Sequence, residues 1–139
     1  MKRHPSLIPF SKFHRDILFL ALIAKKNAPQ VKSYPTDIEG KIDYSISFYD
    51  KKLLPHFSKE ETRLFKTLKG RFEKLDEIIA ELEQERAEIK ILFEKLKAGK
   101  EANTLHQIGS LLEMHVRKEE RVFFQSIQDF LFPEELDKL

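Results

Sequence analysis

Apolar residues recur at steps of three and four along most of the chain, and the breaks in that rhythm divide it into four amphipathic segments. The first, FSKFHRDILFLALIAKK, predicts a helix over 10–27, with Ser11 as its cap and Lys25 and Lys26 favourable at the C-terminal dipole. The stretch NAPQVKSYPTDIEG holds Pro29, Pro35 and Gly40, which predicts an extended crossing loop, with Thr36 or Asp37 capping the second helix. That helix is expected over 38–69, carrying Ile42, Ile46, Tyr49, Leu53, His56, Glu60 and Leu64 on one face. Gly70 marks a tight turn. A third helix is expected over 71–98, with a stripe of Phe72, Leu75, Ile79, Leu82, Ile89, Phe93 and Leu96 that ends at Gly99. The fourth, over 102–130, runs through Leu105, Ile108, Leu111, Leu112, His115, Glu119 and Val122 and stops before Pro133. Four such helices with short second and third connections predict an all-α, up-down-up-down bundle in a single domain over residues 1–139.

Two features interrupt this plain pattern. Pro55 falls inside the second helix, where a proline costs about 3 kcal/mol in an ordinary helix, and its place just before His56 hints at a shaped site. More decisively, the second helix contains HFSKEETRLF and the fourth contains HVRKEERVFF. The two share His, Lys, Glu, Glu and Phe in identical register, so one cassette occurs on two helices.

In a helix, residues four apart lie about 40° apart around the axis and about 6 Å along it. His56 therefore projects with Glu60, and His115 with Glu119. The adjacent Glu61 and Glu120 lie about 100° further round and are expected to face water. The second and fourth helices are diagonal in this topology, so the two His–Glu pairs face each other across the core and suit two metal ions bridged by carboxylates. His14 shares its face with Phe10, Ile17 and Ala21 and is placed to add an imidazole from a third helix. Such nitrogen and oxygen donors suit iron or manganese, with zinc also compatible. His4, in the irregular N-terminus, and His106, on the far side of the fourth helix, are poor candidates. Tyr49 lies on the His56 face and could pack above the site or donate its hydroxyl to a ligand, but ordinary core packing is the expected role.

Composition narrows the chemistry. The chain has no Cys, which excludes thiolate sites, disulfides and iron–sulfur clusters. Its 25 basic and 23 acidic residues are dispersed, giving a net charge of +2 with no basic block to suggest nucleic acid. Residues 1–10 carry Pro5 and Pro9 and lack the apolar run of a signal peptide or membrane span, so a cytoplasmic protein is expected. No nucleophile triad, phosphate loop or nucleotide motif occurs, so no catalytic residue is assigned.

The segments FSKFHRDILFLALIAKK, FYDKKLLPHFSKEETRLF and LLEMHVRKEERVFF together resemble the hemerythrin-like (HHE cation-binding) family across nearly the whole chain. The resemblance implies a four-helix bundle with an oxo- or hydroxo-bridged di-iron site, and carries that family's ligands onto His14, His56, Glu60, His115 and Glu119. HisxxxGlu order also separates the chain from ferritin-like proteins, whose helices carry GluxxHis. The third helix departs from the family. Where relatives offer a Glu-His pair this chain reads LEQERAEI, with Glu85 and Arg86 both bordering the inward stripe. If Glu85 replaces the imidazole, the site becomes rich in carboxylate and better suited to redox chemistry than to oxygen carriage. If Arg86 points inward, its fixed charge pairs with a carboxylate and leaves one metal position weak or empty. The expected partner is a small diatomic or peroxide ligand, with no nucleic acid and no membrane, and the chain is expected as a monomer or weak dimer. Iron storage, delivery or iron-responsive regulation, and a metal-free interaction bundle, are the competing readings.

Overall fold

In the computed structural model, which describes residues 2–139, every regular element among the described residues is helical. Helix α1 is Ile8–Ala24, α2 covers 38–68, α3 is Glu73–Gly99, α4 covers 102–130, and a short α5, Pro133–Leu136, closes the chain. The first four alternate in direction. α1 packs on α2 and α4, and α3 packs on the same two helices, so α2 and α4 lie on one diagonal.

Helix α1 starts earlier than its sequence suggests. Leu7 occupies the cap position and Pro9 lies in the first turn, where its missing N–H and fixed φ are compatible with a helix start. Ser11 is therefore inside the helix rather than its cap. At the other end the Lys26 amide donates to Nδ1 of His106 on α4, 2.8 Å away, which gives that histidine a structural role. α2 begins as expected, with the Asp37 carboxylate accepting the Gly40 amide at 3.1 Å. α3 ends at Gly99, and Lys100 takes a left-handed conformation with φ 49°.

Two helices are not uniformly α-helical. α2 widens into π-turns at Tyr49–Leu53 and Glu61–Phe65, and α4 does so at Glu119–Phe123. Each ends on an amide bonded five residues back: Leu54 to Tyr49, Lys66 to Glu61, Phe124 to Glu119. The first accounts for Pro55. The proline comes directly after a turn that has already left the i to i−4 pattern, so its lack of an N–H falls where the ladder is interrupted anyway.

The core has two apolar parts. One holds Ile17, Leu20, Ile42, Leu53, Phe93 and Leu112 among others, and Tyr49 belongs to it, stacked on Phe93 with ring centroids 4.0 Å apart. The second gathers Leu7, Leu64, Leu75, Leu82, Phe123 and Ile127 with their neighbours. A layer of buried polar side chains (His14, His56, Glu60, Glu85, Arg86, His115 and Glu119) interrupts the apolar core. No helix among the described residues is long and apolar enough to cross a membrane.

The α1–α4 contact is especially close at Gly109, where a Cβ would stand 2.8 Å from the Ala21 carbonyl oxygen and 3.1 Å from the Ala24 Cβ. Replacing a mid-helix Gly by Ala normally gains about 0.5–1 kcal/mol. Here the obstruction is backbone, which cannot swing aside, and forced overpacking costs about 1–3 kcal/mol. Gly109→Ala is expected to lower the urea midpoint; an unchanged or higher midpoint would show that α1 can retreat freely.

Candidate metal centre

Each cassette directs its His and its first Glu into the polar layer, as the four-residue spacing requires. Glu60, His115 and Glu119 are at most 1% exposed, His14 is 2% exposed and His56 7%. His14 Nε2 lies 3.6 Å from Glu60 Oε2 and 3.5 Å from Glu119 Oε2. His56 Nε2 lies 3.1 Å from Glu60 Oε1, though without hydrogen-bonding geometry. His14, His56 and Glu60 offer ligand atoms that all lie within 4.8 Å of one another.

Buried polar atoms nearly always find a partner, so those that do not are informative. Among the described residues five buried side-chain atoms have no hydrogen-bond partner. Four of them are His14 Nε2, His56 Nε2, Glu60 Oε2 and Glu119 Oε2, all in this layer; the fifth, Ser45 Oγ, lies nearer the start of α2. Two imidazole nitrogens and two carboxylate oxygens make a donor set that fits one iron, manganese or zinc ion.

The other half of the layer is filled by the protein itself. Arg86 is 2% exposed, its guanidinium lying between the rings of Phe57 and Phe65 at 4.4 Å from each centroid. Nη2 donates to Glu60 Oε1 at 2.5 Å and Glu119 Oε1 at 3.1 Å, and Nη1 donates to the Phe57 carbonyl at 3.1 Å and Glu61 at 3.4 Å. His115 is engaged at both nitrogens. Nδ1 is 2.8 Å from Glu85 Oε1, while Nε2 is 2.8 Å from Glu119 Oε1 and 3.3 Å from Arg86 Nε. The second Glu85 oxygen pairs with Lys118. Of the six residues singled out from sequence, His14, His56 and Glu60 bring ligand atoms together, and Glu119 Oε2 lies 3.5 Å from His14 Nε2, whereas His115 and Glu85 are tied to each other beside Arg86.

Electrostatics match this division. Burial disfavours the charged His14, but the carboxylates of Glu119, Glu120 and Glu60 outweigh it and hold its pKa well above the ordinary 6.5. Burial likewise works against the Glu119 anion, and Arg86 with the neighbouring His115 and His14 overcomes it, so the carboxyl stays well below its usual 4.5. Arg86 is pulled down by burial and raised more by Glu60 and Glu119. Two buried carboxylates thus face one permanent cation, and the remaining negative charge is available to a proton on His14 or to a metal ion.

The expectation that Glu61 and Glu120 face water does not hold at Glu120. Its Oε1 is 3.3 Å from His14 Nδ1, and its Oε2 accepts from Ser11 Oγ at 3.0 Å and pairs with Arg3 at 3.2 Å. A uniform helix would turn Glu120 away; the wider turn that opens at Glu119 keeps two successive carboxylates toward the bundle. Glu61, half exposed, reaches Arg86 through the equivalent turn in α2.

An all-helical bundle that buries histidines and carboxylates from several helices at one level defines a cation-binding protein of the four-helix class. The family model described as the hemerythrin HHE cation binding domain matches residues 12–127, and the chain belongs to that family. No curated protein and no solved structure matched it.

Proposed function

We propose that this protein holds a single iron ion among His14, His56, Glu60 and Glu119, with the Arg86 guanidinium fixed where a second cation would sit, and that it binds or senses a small species such as dioxygen, peroxide or nitric oxide. The observation that carries the reading is the pairing of four unpartnered ligand atoms with a guanidinium that already takes the other oxygen of both carboxylates. Iron is favoured by the family and by the mixed imidazole and carboxylate donors. One ion, rather than the two implied by resemblance, is favoured because a second would have to displace a charge that is covalently part of α3. When bound, the ion supplies an open coordination position and a change of oxidation state. The protein's own part is to exclude water and admit only small ligands: Phe13 stacks on His56 with centroids 4.4 Å apart, and Phe124 stacks on His14 at 5.5 Å.

Elemental analysis of protein from iron-supplemented cells tests this directly. The expected result is one iron per chain in the wild type, none in His56→Ala, and two in Arg86→His, with a visible spectrum of the wild type that shifts on adding nitric oxide or dioxygen. Two irons in the wild type would return the reading to a dinuclear centre. None, even after anaerobic ferrous loading, would leave a metal-free bundle.

A further inference from the structure

We infer that Glu120 is a positioning residue for this centre, its carboxylate accepting a hydrogen bond from the His14 Nδ1–H so that Nε2 is the nitrogen directed to the ion, beside Glu60 and Glu119. The inference rests on the one-ion reading and names a residue outside the ligand set. An imidazole can present either nitrogen, and which one is free for a metal is decided by the hydrogen bond at the other. At His14 that bond is the 3.3 Å contact from Nδ1 to Glu120 Oε1. A carboxylate can only accept, so Nδ1 carries a proton whatever the charge of the ring, and the unpartnered Nε2, which faces the two ligand carboxylates, is the nitrogen left for a metal.

Glu120 is itself held rather than free to swing. Ser11 donates to its Oε2 at 3.0 Å, Arg3 pairs with the same oxygen at 3.2 Å, and Arg3 also donates to the Glu120 carbonyl at 2.8 Å. The Phe124 ring, inclined by only 11° to the His14 ring, limits rotation from one face. Three separate elements therefore fix one imidazole: the N-terminal segment, the first turns of α1, and the π-turn of α4. The duplicated cassette gives the arrangement a pattern. In each copy the first Glu enters the layer and the second secures a residue from another helix, Glu120 for His14 and Glu61 for Arg86.

Cobalt(II) titration of the full chain provides the test, with Glu120→Ala and Glu120→Gln compared with wild type. Loss of such a partner typically weakens metal affinity about 10–100-fold, and that is expected for Glu120→Ala. Gln keeps a carbonyl acceptor and should recover most of the loss. In proton spectra of the cobalt-loaded protein, one exchangeable imidazole N–H resonance should broaden or vanish in Glu120→Ala and return in Glu120→Gln, while helix content stays as in the wild type. Wild-type affinity in Glu120→Ala, or a Gln variant as weak as Ala, would overturn the positioning role alone. A wild type that takes up no cobalt would overturn this role together with the one-ion reading.

Discussion

Replacing Arg86 by Met is expected to lower the stability of the metal-free protein by about 3–5 kcal/mol, the cost of removing one partner from a buried charge cluster. Met fills much of the same space and its sulfur packs well between aromatic rings such as Phe57 and Phe65, so the loss reports on charge more than on a void. The substitution leaves two carboxylates, Glu60 and Glu119, with no fixed cation, and a Phe57 carbonyl without its donor. Urea unfolding of the metal-stripped protein measures the difference. A loss below about 1 kcal/mol would place this pair among those of little net worth and remove the argument that the guanidinium substitutes for a cation.

The second large effect is on metal binding. Glu119→Gln should weaken metal binding by on the order of 100-fold or more, about 3 kcal/mol, and should also lower the stability of the metal-free fold at neutral pH, because a carboxyl held well below its usual pKa favours the folded state. Gln preserves the shape, and its carbonyl can still accept from Arg86, which in the wild type reaches Oε1 at 3.1 Å. It removes a buried negative charge that Arg86, His115 and His14 favour in the folded state. Isothermal titration with cobalt and a thermal melt, run on the same sample, separate the two quantities. Tight binding by the variant would show that Oε2 of Glu119, although unpartnered, is not a ligand.

Much of this was readable from the residues because the fold is local in sequence. Helical periodicity, the breaks at Pro35, Gly70 and Gly99, and the four-residue His–Glu spacing require no knowledge of how distant segments meet. The duplicated cassette then placed two of the helices at one level. The departure from the pattern was not contained in it. Glu85 and Arg86 both border the apolar stripe of α3, and only packing against Phe57 and Phe65 decided that the guanidinium enters the layer while Glu85 turns to His115 and Lys118. Glu120 was assigned to water by a rule that assumes a uniform helix, and no residue in EERVF announces the wider turn. Ser11 looked like a cap because a serine before an apolar run usually is one; Pro9 had already started the helix, and the hydroxyl went to Glu120 instead.

The interrupted core also bears on how the helices find their alignment. Apolar faces rich in Leu, Ile and Phe pack adequately in more than one vertical position, since a slip of one turn, about 5.4 Å, exchanges one aliphatic contact for another. The polar layer removes that tolerance. Slide α3 by a turn and Arg86 lies against hydrocarbon, with Glu60 and Glu119 stranded; slide α1 and the His14 imidazole leaves its carboxylates. Such a layer serves as an index mark, much as one buried Asn sets the register of a coiled coil. Because Arg86 is present before any ion arrives, that mark is available to the chain as it folds.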